Sequence, residues 1–452
     1  MGRLFGTDGV RGIANSELTP ELAFNLGKAG AFVLGKRKDL AKPKFIIGMD
    51  TRISCDMLEN AITAGILAVG GDVIKVGVLP TPAIAFLVKK YGADAGVVIS
   101  ASHNPYEFNG IKFFNGDGFK LDDSIEDEIE DIIVRDIDVN SHITHDKIGK
   151  CVEADDSALD QYAEFLLGTV DYNLAGRKIV LDCANGAAYK VAEKVYKALG
   201  ANVVVMGNAP NGVNINDNCG STHVEGLMEA VVREGAFVGM AYDGDADRLI
   251  AIDERGRVID GDKTICICAN MLKKSGELTN NLVTATVMSN IGLHKYLREL
   301  GCKVNVTGVG DRYVLEDMQK TGCVIGGEQS GHIIFLNHTT TGDGILSSLQ
   351  VVNAILKSGR SASELSDEVV IFPQVLKNAK VLNQNKNKYD KDQEVIDAIA
   401  KAQETVGDKG RVLIRPSGTE PLVRVMIEGE DIELIGILAD GLASLISNKF
   451  GQ

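Results

Sequence analysis

The sequence has no tryptophan, no Cys-x-x-Cys pair and no apolar run that approaches the ~20 residues of a membrane-spanning helix. Its eight cysteines are scattered, without the spacing of a structural zinc site, so we predict free cysteines in a reducing compartment. The N-terminal residues lack the apolar core of a secretory signal peptide. Together, these absences predict a cytoplasmic protein.

Basic residues are in deficit, because 47 Lys and Arg stand against 62 Asp and Glu and give a formal net charge of −15. Such a chain repels nucleic acid and anionic membranes at long range, although Arg and Lys that are gathered locally can still bind a small anion. The chain is 45% apolar and 24% charged, which excludes disorder and coiled coil for the chain as a whole. The 50 glycines predict many tight turns.

One order of elements occurs three times along the chain. A short strand is followed by a helical segment, a second strand entered through Gly, another helix and a third strand. The first strands begin at Lys44, Lys178 and Leu282. Alternating strands and helices predict α/β units with right-handed crossovers. We therefore predict three similar α/β domains with mixed, mostly parallel sheets, over residues 1–150, 151–255 and 256–370.

The last part of the chain does not fit this pattern. A Lys- and Asn-rich stretch from Lys377 to Lys391 is followed by helix, strand, loop, strand and helix. We interpret the stretch as part of a linker, and residues 371–452 as a smaller α+β domain.

The third strand of each repeat ends in a polar loop. These loops are Ser100–Pro105, Asp243–Arg248 and Gly327–His332. Sites in α/β sheets lie beyond the carboxyl ends of the strands, so we expect the three loops to face one shared site.

The strongest local signal is the Asp243-x-Asp245-x-Asp247 pattern. Three carboxylates this close repel one another unless a cation neutralises them, and Gly244 and Ala246 let the backbone curl so that the oxygens converge. Oxygen ligands without His or Cys favour Mg²⁺ over zinc. A solvated acidic turn is the alternative. An EF-hand is excluded because the downstream Gly and Glu spacing is missing.

Ser102 directly follows a predicted buried strand. Its hydroxyl can serve as a nucleophile or carry a phosphate, because a serine ester divides one difficult transfer into two easier ones. The alternative is an ordinary Asn-Pro turn with polar caps. His103 can orient the loop, but its spacing does not make it the base.

A second kind of loop, from Arg415 to Pro421, suits a phosphate dianion. It offers an Arg fork, two hydroxyls and backbone N–H groups exposed by glycine, and Arg424 lies on the next strand. A polar hairpin is the alternative. The loop from Glu328 to His332 offers the donors and acceptors that sugar hydroxyls need, or is simply solvated.

Three further basic residues lie in the first repeat. Arg11 has glycines beside it that allow close approach of a ligand, and Arg52 adds a second cation. Lys112 is flanked by apolar residues. It can be desolvated and exchange a proton, or it can extend its ammonium group to solvent from a strand.

Taken together, the motifs resemble those of the α-D-phosphohexomutase superfamily over nearly the whole chain. The motifs that carry the resemblance are Phe5-Gly-Thr-Asp-Gly-Val-Arg-Gly12, Ser100–Pro105, Asp243–Arg248, Gly327–His332 and Arg415–Pro421. The resemblance implies four domains around a central cleft, the first three alike.

The resemblance also implies a role for each motif. Ser102 is expected to carry a phosphoryl group. The expected ligands of one Mg²⁺ are Asp243, Asp245, Asp247 and an oxygen of phosphorylated Ser102. The sugar hydroxyls are assigned to Glu328 and Ser330. The non-reacting phosphate is assigned to Arg415, Ser417, Gly418, Thr419 and Arg424. The reacting end is assigned to Arg11, Lys112, Arg248 and His332, as electrostatic stabilisers or proton carriers.

The implied reaction interconverts glucosamine 6-phosphate and glucosamine 1-phosphate. A hexosamine 1,6-bisphosphate is the intermediate and primer, and the product feeds synthesis of UDP-N-acetylglucosamine and cell-wall precursors. The expected partner is a small sugar phosphate, with no nucleic acid or membrane. A homodimer, and modification of Ser102 by a kinase or by autophosphorylation, are compatible with the resemblance.

Three other functions remain open on the sequence. A mutase of glucose or mannose phosphates shares every catalytic part. A metal-dependent sugar phosphatase needs the aspartates but not Ser102. A sugar-phosphate sensor binds the ligand without turnover.

Overall fold

The computed structural model describes residues 4–6, 8–38, 40, 42–139, 143–155, 157–417 and 420–451. The chain forms two compact units. The first consists of Met1–Met288 with Gly301–Asp367, and the second of Ser289–Leu300 with Glu368–Gln452. No helix among the described residues is long and apolar enough to cross a membrane.

The first sheet has six strands and lies in the first unit. In chain order, its strands and accompanying helices are β1 (Val10–Ile13), α1 (Pro20–Arg37), β2 (Lys44–Met49), α2 (Cys55–Ala68), β3 (Asp72–Val78), α3 (Thr81–Lys90), β4 (Ala95–Ile99), β5 (Phe108–Asn115), α4 (Asp123–Val134) and β6 (Cys151–Glu153). The spatial order is β1-β5-β4-β2-β3-β6. β2 is parallel to β3 and β4, whereas β5 is antiparallel to β4 and β1. β4 is buried throughout, as expected for an apolar strand covered on both faces.

The second sheet has five strands and belongs to the same unit. Its elements are α5 (Ser157–Leu167), β7 (Lys178–Asp182), α6 (Ala188–Ala198), β8 (Asn202–Met206), α7 (Glu225–Glu234), β9 (Val238–Tyr242), β10 (Leu249–Ile252) and β11 (Val258–Ile259). The spatial order is β11-β10-β9-β7-β8. β7 is parallel to β8 and β9, and β10 returns antiparallel to β9. The turn between β9 and β10 holds the acidic motif.

The third sheet has four strands and is again in the first unit. The elements of this part of the chain are α8 (Gly261–Ser275), β12 (Leu282–Thr286), α9 (Ile291–Glu299), β13 (Lys303–Thr307), α10 (Asp311–Thr321), β14 (Ile325–Gly327), β15 (Ile333–Phe335), α11 (Gly344–Ser358) and α12 (Ala362–Asp367). The spatial order is β13-β12-β14-β15, and only β15 is antiparallel to its neighbour. Helix α9 groups with the second unit.

The second unit contains a small antiparallel sheet. Its elements are β16 (Gln374–Lys380), α13 (Gln393–Val406), β17 (Arg411–Pro416), β18 (Leu422–Glu428) and α14 (Ile432–Phe450). The spatial order is β16-β18-β17. The buried residues of α14 and β18 belong to one hydrophobic core.

The structure confirms the fold class and the order of elements within each repeat. The three predicted first strands are β2, β7 and β12, and each is parallel to the second and third strands of its repeat. The repeat is visible in sequence because buried parallel strands are continuous apolar runs.

The sheets differ from the predicted segmentation at three places. Strand β6 lies beyond residue 150 but pairs with β3 in the first sheet, and β11 lies beyond residue 255 but pairs with β10 in the second. The predicted linker is wrong at its start, because β16 includes Lys377 and pairs with β18. β16 is an edge strand in which only Ala379 is buried, so it lacks the apolar alternation that identifies a strand.

Candidate active site

The three aspartates of the acidic motif converge in a buried turn. β9 ends immediately before Asp243, and β10 begins at Leu249. Asp243, Asp245 and Asp247 are all buried, and each offers one carboxylate oxygen within 4.8 Å of the others. The structure therefore excludes the solvated acidic turn that the sequence left open.

Small residues give this turn its shape. Ala246 has a φ of 55°, and its N–H donates to the Asp243 carbonyl at 3.1 Å. A Cβ atom on Gly244 would lie 2.5 Å from the carbonyl oxygen of Ser102, so glycine is required for the two loops to approach each other. The close approach brings a loop of the first sheet against a loop of the second.

Ser102 lies in this contact and is 1% exposed. Its Oγ donates to Asp243 Oδ2 at 2.6 Å. The serine has a φ of 52°, in the left-handed region that non-glycine residues seldom occupy, and its N–H donates to Ser100 Oγ at 2.9 Å. The backbone therefore presents the hydroxyl to the acidic motif.

Arg52 and Asn216 hold the Ser102 loop from two sides. Arg52 is buried, forms an ion pair of 2.8 Å with Asp50, and donates to the carbonyls of Ser102 and Asn104 at 2.9 and 2.8 Å. Asn216 Nδ2 donates to the same two carbonyls at 2.9 and 3.1 Å. The sequence indicated Arg52 only as a further cation in this part of the chain, and the structure shows that its charge fixes the Ser102 loop.

The acidic motif fits a hard divalent cation. Within the described part of the chain, Asp245 Oδ1 and Asp247 Oδ1 are buried without a hydrogen-bond partner. Burial, followed by the charges of Asp247 and Asp245, raises the pKa of Asp243 well above its usual range. A cation bound by these oxygens would satisfy the two orphaned atoms and favour ionised Asp243.

Lys112 is buried among carboxylates and does not reach solvent as the sequence allowed. Its Nζ lies 2.9 Å from Asp245 Oδ2, 2.9 Å from Asp8 Oδ2 and 3.9 Å from Asp247 Oδ2. Burial alone would lower the pKa of Lys112, but these carboxylates outweigh it and the pKa is raised. Lys112 therefore keeps its proton and presents a fixed positive charge.

His332 faces the acidic motif from the third-sheet loop. Its Nδ1 lies 3.5 Å from Asp247 Oδ2, and Asp247 and Asp311 outweigh burial and raise the pKa of His332 to about 9. The Gly342 N–H donates to Nε2 at 3.1 Å, which requires an unprotonated Nε2. In the described geometry the ring therefore carries its proton on Nδ1, beside Asp247, and a second proton at Nε2 would break the hydrogen bond from Gly342.

Arg248 completes the cationic side of the site. Its backbone N–H donates to Asp243 Oδ1 at 3.2 Å, and its Nε lies 3.9 Å from Asp247 Oδ1. That Nε is buried without a hydrogen-bond partner among the described residues. Burial alone would lower the pKa of Arg248, but the charges of Asp243 and Asp247 raise it.

The sequence did not single out Asp8, Lys120 and Asp311. Lys120 Nζ lies 2.5 Å from Asp8 Oδ1 and 2.5 Å from Asp311 Oδ2, and Arg11 forms an ion pair with Asp8. The available signal was weak, because Lys120 and Asp311 each follow a glycine-rich turn, as ordinary surface charges also do. Asp8 lies within the Phe5–Gly12 motif, but its residue type and spacing alone assign it no role.

The remaining residues near the site show less constraint. Glu328 Oε1 accepts from the Gly310 N–H at 3.0 Å, and Ser330 is exposed. His103 Nδ1 lies 3.5 Å from Ser102 Oγ, and burial, then the charges of Arg248 and Arg11, lower the pKa of His103 to about 4. His103 is therefore neutral near pH 7.

The predicted phosphate loop connects β17 and β18 in the second unit. Arg415 and Arg424 are paired across these strands, and burial, followed by the Arg424 charge, lowers the pKa of Arg415. Ser417 is buried, and its Oγ accepts from the Glu420 N–H at 3.2 Å. Like charges directly opposite each other are unfavourable, and an anion between them removes the conflict. Gly418 and Thr419 lie outside the described residues.

The chain matches four domain families in succession. They are described as phosphoglucomutase/phosphomannomutase alpha/beta/alpha domains I, II and III and the C-terminal domain, and they match residues 2–139, 160–256, 260–371 and 376–445.

A curated relative aligns over nearly the whole chain. The phosphoglucosamine mutase of Clostridium novyi is 55% identical over 449 residues, which cover 99% of this chain and 99% of the relative.

Two solved structures share the fold. A phosphoglucomutase/phosphomannomutase family protein from Burkholderia thailandensis has a TM-score of 0.80 at 22% identity, over 97% of this chain and 95% of that chain. The Aspergillus fumigatus N-acetylphosphoglucosamine mutase, solved with GlcNAc-6P and magnesium, has a TM-score of 0.71 at 17% identity, over 98% and 95% of the two chains.

Proposed function

The chain belongs to the phosphoglucosamine mutase family of the phosphohexomutases, and on this premise we propose that Ser102 carries the phosphoryl group that it transfers. The enzyme interconverts glucosamine 6-phosphate and glucosamine 1-phosphate. The observation that carries the proposal is the 2.6 Å hydrogen bond from Ser102 Oγ to Asp243 Oδ2. A nucleophilic hydroxyl and a cation site meet at this contact.

The proposed transfer exchanges one oxygen bonded to phosphorus, Ser102 Oγ, for another, the sugar hydroxyl oxygen. The free hydroxyl oxygen of the sugar phosphate bonds to phosphorus, the bond from phosphorus to Ser102 Oγ breaks, and the hydroxyl proton ends on Oγ. The hydrogen bond from Oγ to Asp243 is the arrangement expected of the dephosphorylated serine. The hexosamine 1,6-bisphosphate formed then reorients and returns its other phosphoryl group to Ser102. The same bisphosphate serves as primer for unmodified enzyme.

The acidic motif is proposed to hold one Mg²⁺. The residues that would hold it are Asp243, Asp245, Asp247 and Ser102, the last through an oxygen of its phosphate. When bound, the cation neutralises charge on the transferring phosphoryl group. The two orphaned carboxylate oxygens of Asp245 and Asp247 support this assignment.

The basic side chains near the motif supply fixed charge at the reacting end. Lys112 remains protonated beside Asp245, and Arg248 presents a buried Nε without a partner in the described chain. Phosphoryl transfer needs in-line positioning and charge stabilisation, and little covalent help from the protein. We assign this work to Lys112, Arg248, Arg11 and His332, with His332 Nε2 as the atom at which a proton can move.

Two further groups bind the parts of the substrate that do not react. Glu328 and Ser330 are proposed to bind sugar hydroxyls. The distal phosphate is proposed to bind Arg415, Ser417, Gly418, Thr419 and Arg424. Arg415 and Arg424 carry like charges at facing positions of β17 and β18. This supports the assignment, because an anion between them relieves their repulsion.

Several sequence-based expectations stay predictions. The four-domain division at residues 150, 255 and 370 is one. The strand pairings of β6 and β11 favour placing the first two limits a few residues later. The homodimer, modification by a kinase and the cytoplasmic location are others.

The proposal is tested by replacing Ser102 with Ala. We expect loss of mutase activity with glucosamine 6-phosphate, Mg²⁺ and bisphosphate primer, while the fold is kept. Ser347→Ala is the matched control, since it removes an equally buried hydroxyl on α11. Full activity of Ser102→Ala would refute the proposal. Comparing kcat/KM for the glucosamine, glucose and mannose phosphates on the native enzyme tests the preference for the amino sugar.

A further inference from the structure

Lys120 has no part in the chemistry proposed above, yet it lies in a mostly buried position between two carboxylates. Its side chain is 15% exposed, and its Nζ lies 2.5 Å from both Asp8 Oδ1 and Asp311 Oδ2. Each of these carboxylates also contacts a residue of the reacting end. Asp8 Oδ2 lies 2.9 Å from Lys112 Nζ, and Asp311 Oδ2 lies 3.6 Å from His332 Nε2.

These contacts close a ring through the acidic motif. Lys112 contacts Asp245 and His332 contacts Asp247, at the distances given above. In order, the members of this charge ring are Asp8, Lys112, Asp245 with Asp247, His332, Asp311 and Lys120. Lys120 is the member that lies opposite the acidic motif.

Lys112 and His332 each have two acidic partners of different kinds. One partner, Asp245 or Asp247, belongs to the acidic motif, so its charge is shared with a bound cation and attracts the base less strongly. The other partner, Asp8 or Asp311, lies outside the motif and is not among the proposed ligands of that cation. Asp8 therefore becomes the main anchor of Lys112 in the working enzyme, and Asp311 anchors His332 whenever Nε2 carries a proton.

Both anchors depend on the same lysine. Without Lys120, the carboxylates of Asp8 and Asp311 would face each other across a mostly buried space and would repel. We propose that Lys120 is a positioning residue for phosphoryl transfer, which fixes Asp8 and Asp311 so that they hold Lys112 and His332 at the reacting phosphate. The inference rests on the roles proposed above for Lys112 and His332.

The test compares Lys120→Met with the native enzyme. We expect kcat to fall about 10–100-fold, as when partners that orient functional ligands are removed, and KM to stay within about twofold, because Lys120 is not assigned a contact with substrate. Lys120→Arg should regain most of the loss, since a guanidinium group can bridge two carboxylates. Lys75→Met is the matched control. The side chain of Lys75, on β3, is 13% exposed and pairs with Glu59 of α2 at 3.0 Å. Removing this lysine should therefore leave kcat unchanged.

A double variant distinguishes a positioning role of Lys120 from a purely structural one. Lys120→Met with Asp311→Asn removes the unpaired carboxylate as well as the lysine. Positioning predicts that the melting temperature recovers while kcat stays low. Recovery of both would overturn the inference, as would native kcat in Lys120→Met. If Lys120→Met does not fold, the double variant is compared with Asp311→Asn alone, and equal kcat in these two variants would overturn the inference.

Failure of the inference is distinguishable from failure of the proposed function. Lys112→Met and His332→Ala are measured in the same assay. If they lose activity while Lys120→Met does not, only the role of Lys120 is wrong. If they keep native kcat, the roles proposed for Lys112 and His332 are wrong, and the inference about Lys120 is overturned with them.

Discussion

The hydroxyl of Ser102 donates a 2.6 Å hydrogen bond to Asp243, which lies 141 positions later in the chain. The contact joins the loop after β4 to the loop after β9. Gly244 permits this close approach, which any side chain at that position would block. Ser102 and the acidic motif are therefore brought together from the loops of two sheets.

Replacing Asp245 with Asn should lower kcat by ~10²-fold or more while substrate binding is largely kept, because the charge of a bound metal acts mostly on the transition state. Steady-state kinetics over a range of Mg²⁺ concentrations measures this effect. Asp253→Asn makes the same exchange at a fully buried carboxylate that pairs with Arg257 outside the motif, and should leave kcat near native. An unchanged kcat in Asp245→Asn would remove this residue from the metal site.

Replacing Arg415 with Ala should act mainly on KM. The variant loses a charge-assisted fork to the non-reacting phosphate, and the chemistry at Ser102 is not directly altered. Lys409→Ala removes an exposed cation that pairs with Glu430 in the same unit, so it controls for a general loss of positive charge. Initial rates over a range of glucosamine 6-phosphate concentrations separate KM from kcat, and an unaltered KM in Arg415→Ala would contradict this role.

Replacing Arg52 with Met should destabilise the protein strongly. Arg52 is 2% exposed, and its loss leaves buried Asp50 without its cation, a change that costs about 3–5 kcal/mol. Arg37→Met breaks an exposed pair with Glu128 and should cost at most about 1 kcal/mol. Urea unfolding of both variants measures the difference. Equal, small losses would show that Arg52 does not hold the Ser102 loop.

The stability of the protein should depend on Asp343 between about pH 4 and about pH 6. Burial raises the pKa of Asp343 to about 6, whereas its ordinary value is 3.8. As the pH rises through this window, the carboxyl ionises first in the unfolded chain, so the native protein loses stability, by about 3 kcal/mol in all. Below the window the group is neutral in both states, and above it the loss is constant.

Asp343→Asn tests this dependence. An asparagine can cap α11 as Asp343 does toward the Leu346 N–H, and it does not ionise. The difference in free energy of unfolding between the variant and the native protein should therefore shift in favour of the variant from about pH 4 to about pH 6. Above about pH 6 this difference should stay constant. Urea unfolding at several pH values measures it. Asp431→Asn makes the same exchange at an exposed N-cap and controls for the cap itself. A difference that does not change with pH would contradict the prediction.

Much of the site could be predicted because the Ser102 motif and the acidic motif each directly follow a strand. Buried strands are recognisable as apolar runs, and their carboxyl ends share an edge, so a serine after β4 and aspartates after β9 point to one place. The sequence also shows why Gly244 and Ala246 separate the aspartates. The chemistry of these loops is local, which makes it visible in a short window of sequence.

The rest depends on contacts between distant residues. Arg52 donates to carbonyls of residues 50 to 56 positions away, and no spacing rule identifies such partners. The sequence allows Lys112 either to exchange a proton or to reach solvent. Its partners in the structure are Asp8, earlier in the chain, and Asp245, later in the chain. No local pattern identifies Lys120, because the carboxylates that it contacts, Asp8 and Asp311, are 112 and 191 positions away.

The phosphorylation of Ser102 tests the central claim most directly. Native protein is incubated with Mg²⁺ and a hexosamine 1,6-bisphosphate, freed of small molecules, and digested for peptide mass mapping. We predict that the peptide containing Ser102 gains ~80 Da, the mass of a phosphoryl group, and loses it when glucosamine 6-phosphate is added. Ser102→Ala should gain nothing at this peptide. An active enzyme in which this peptide never carries the added mass would contradict the account.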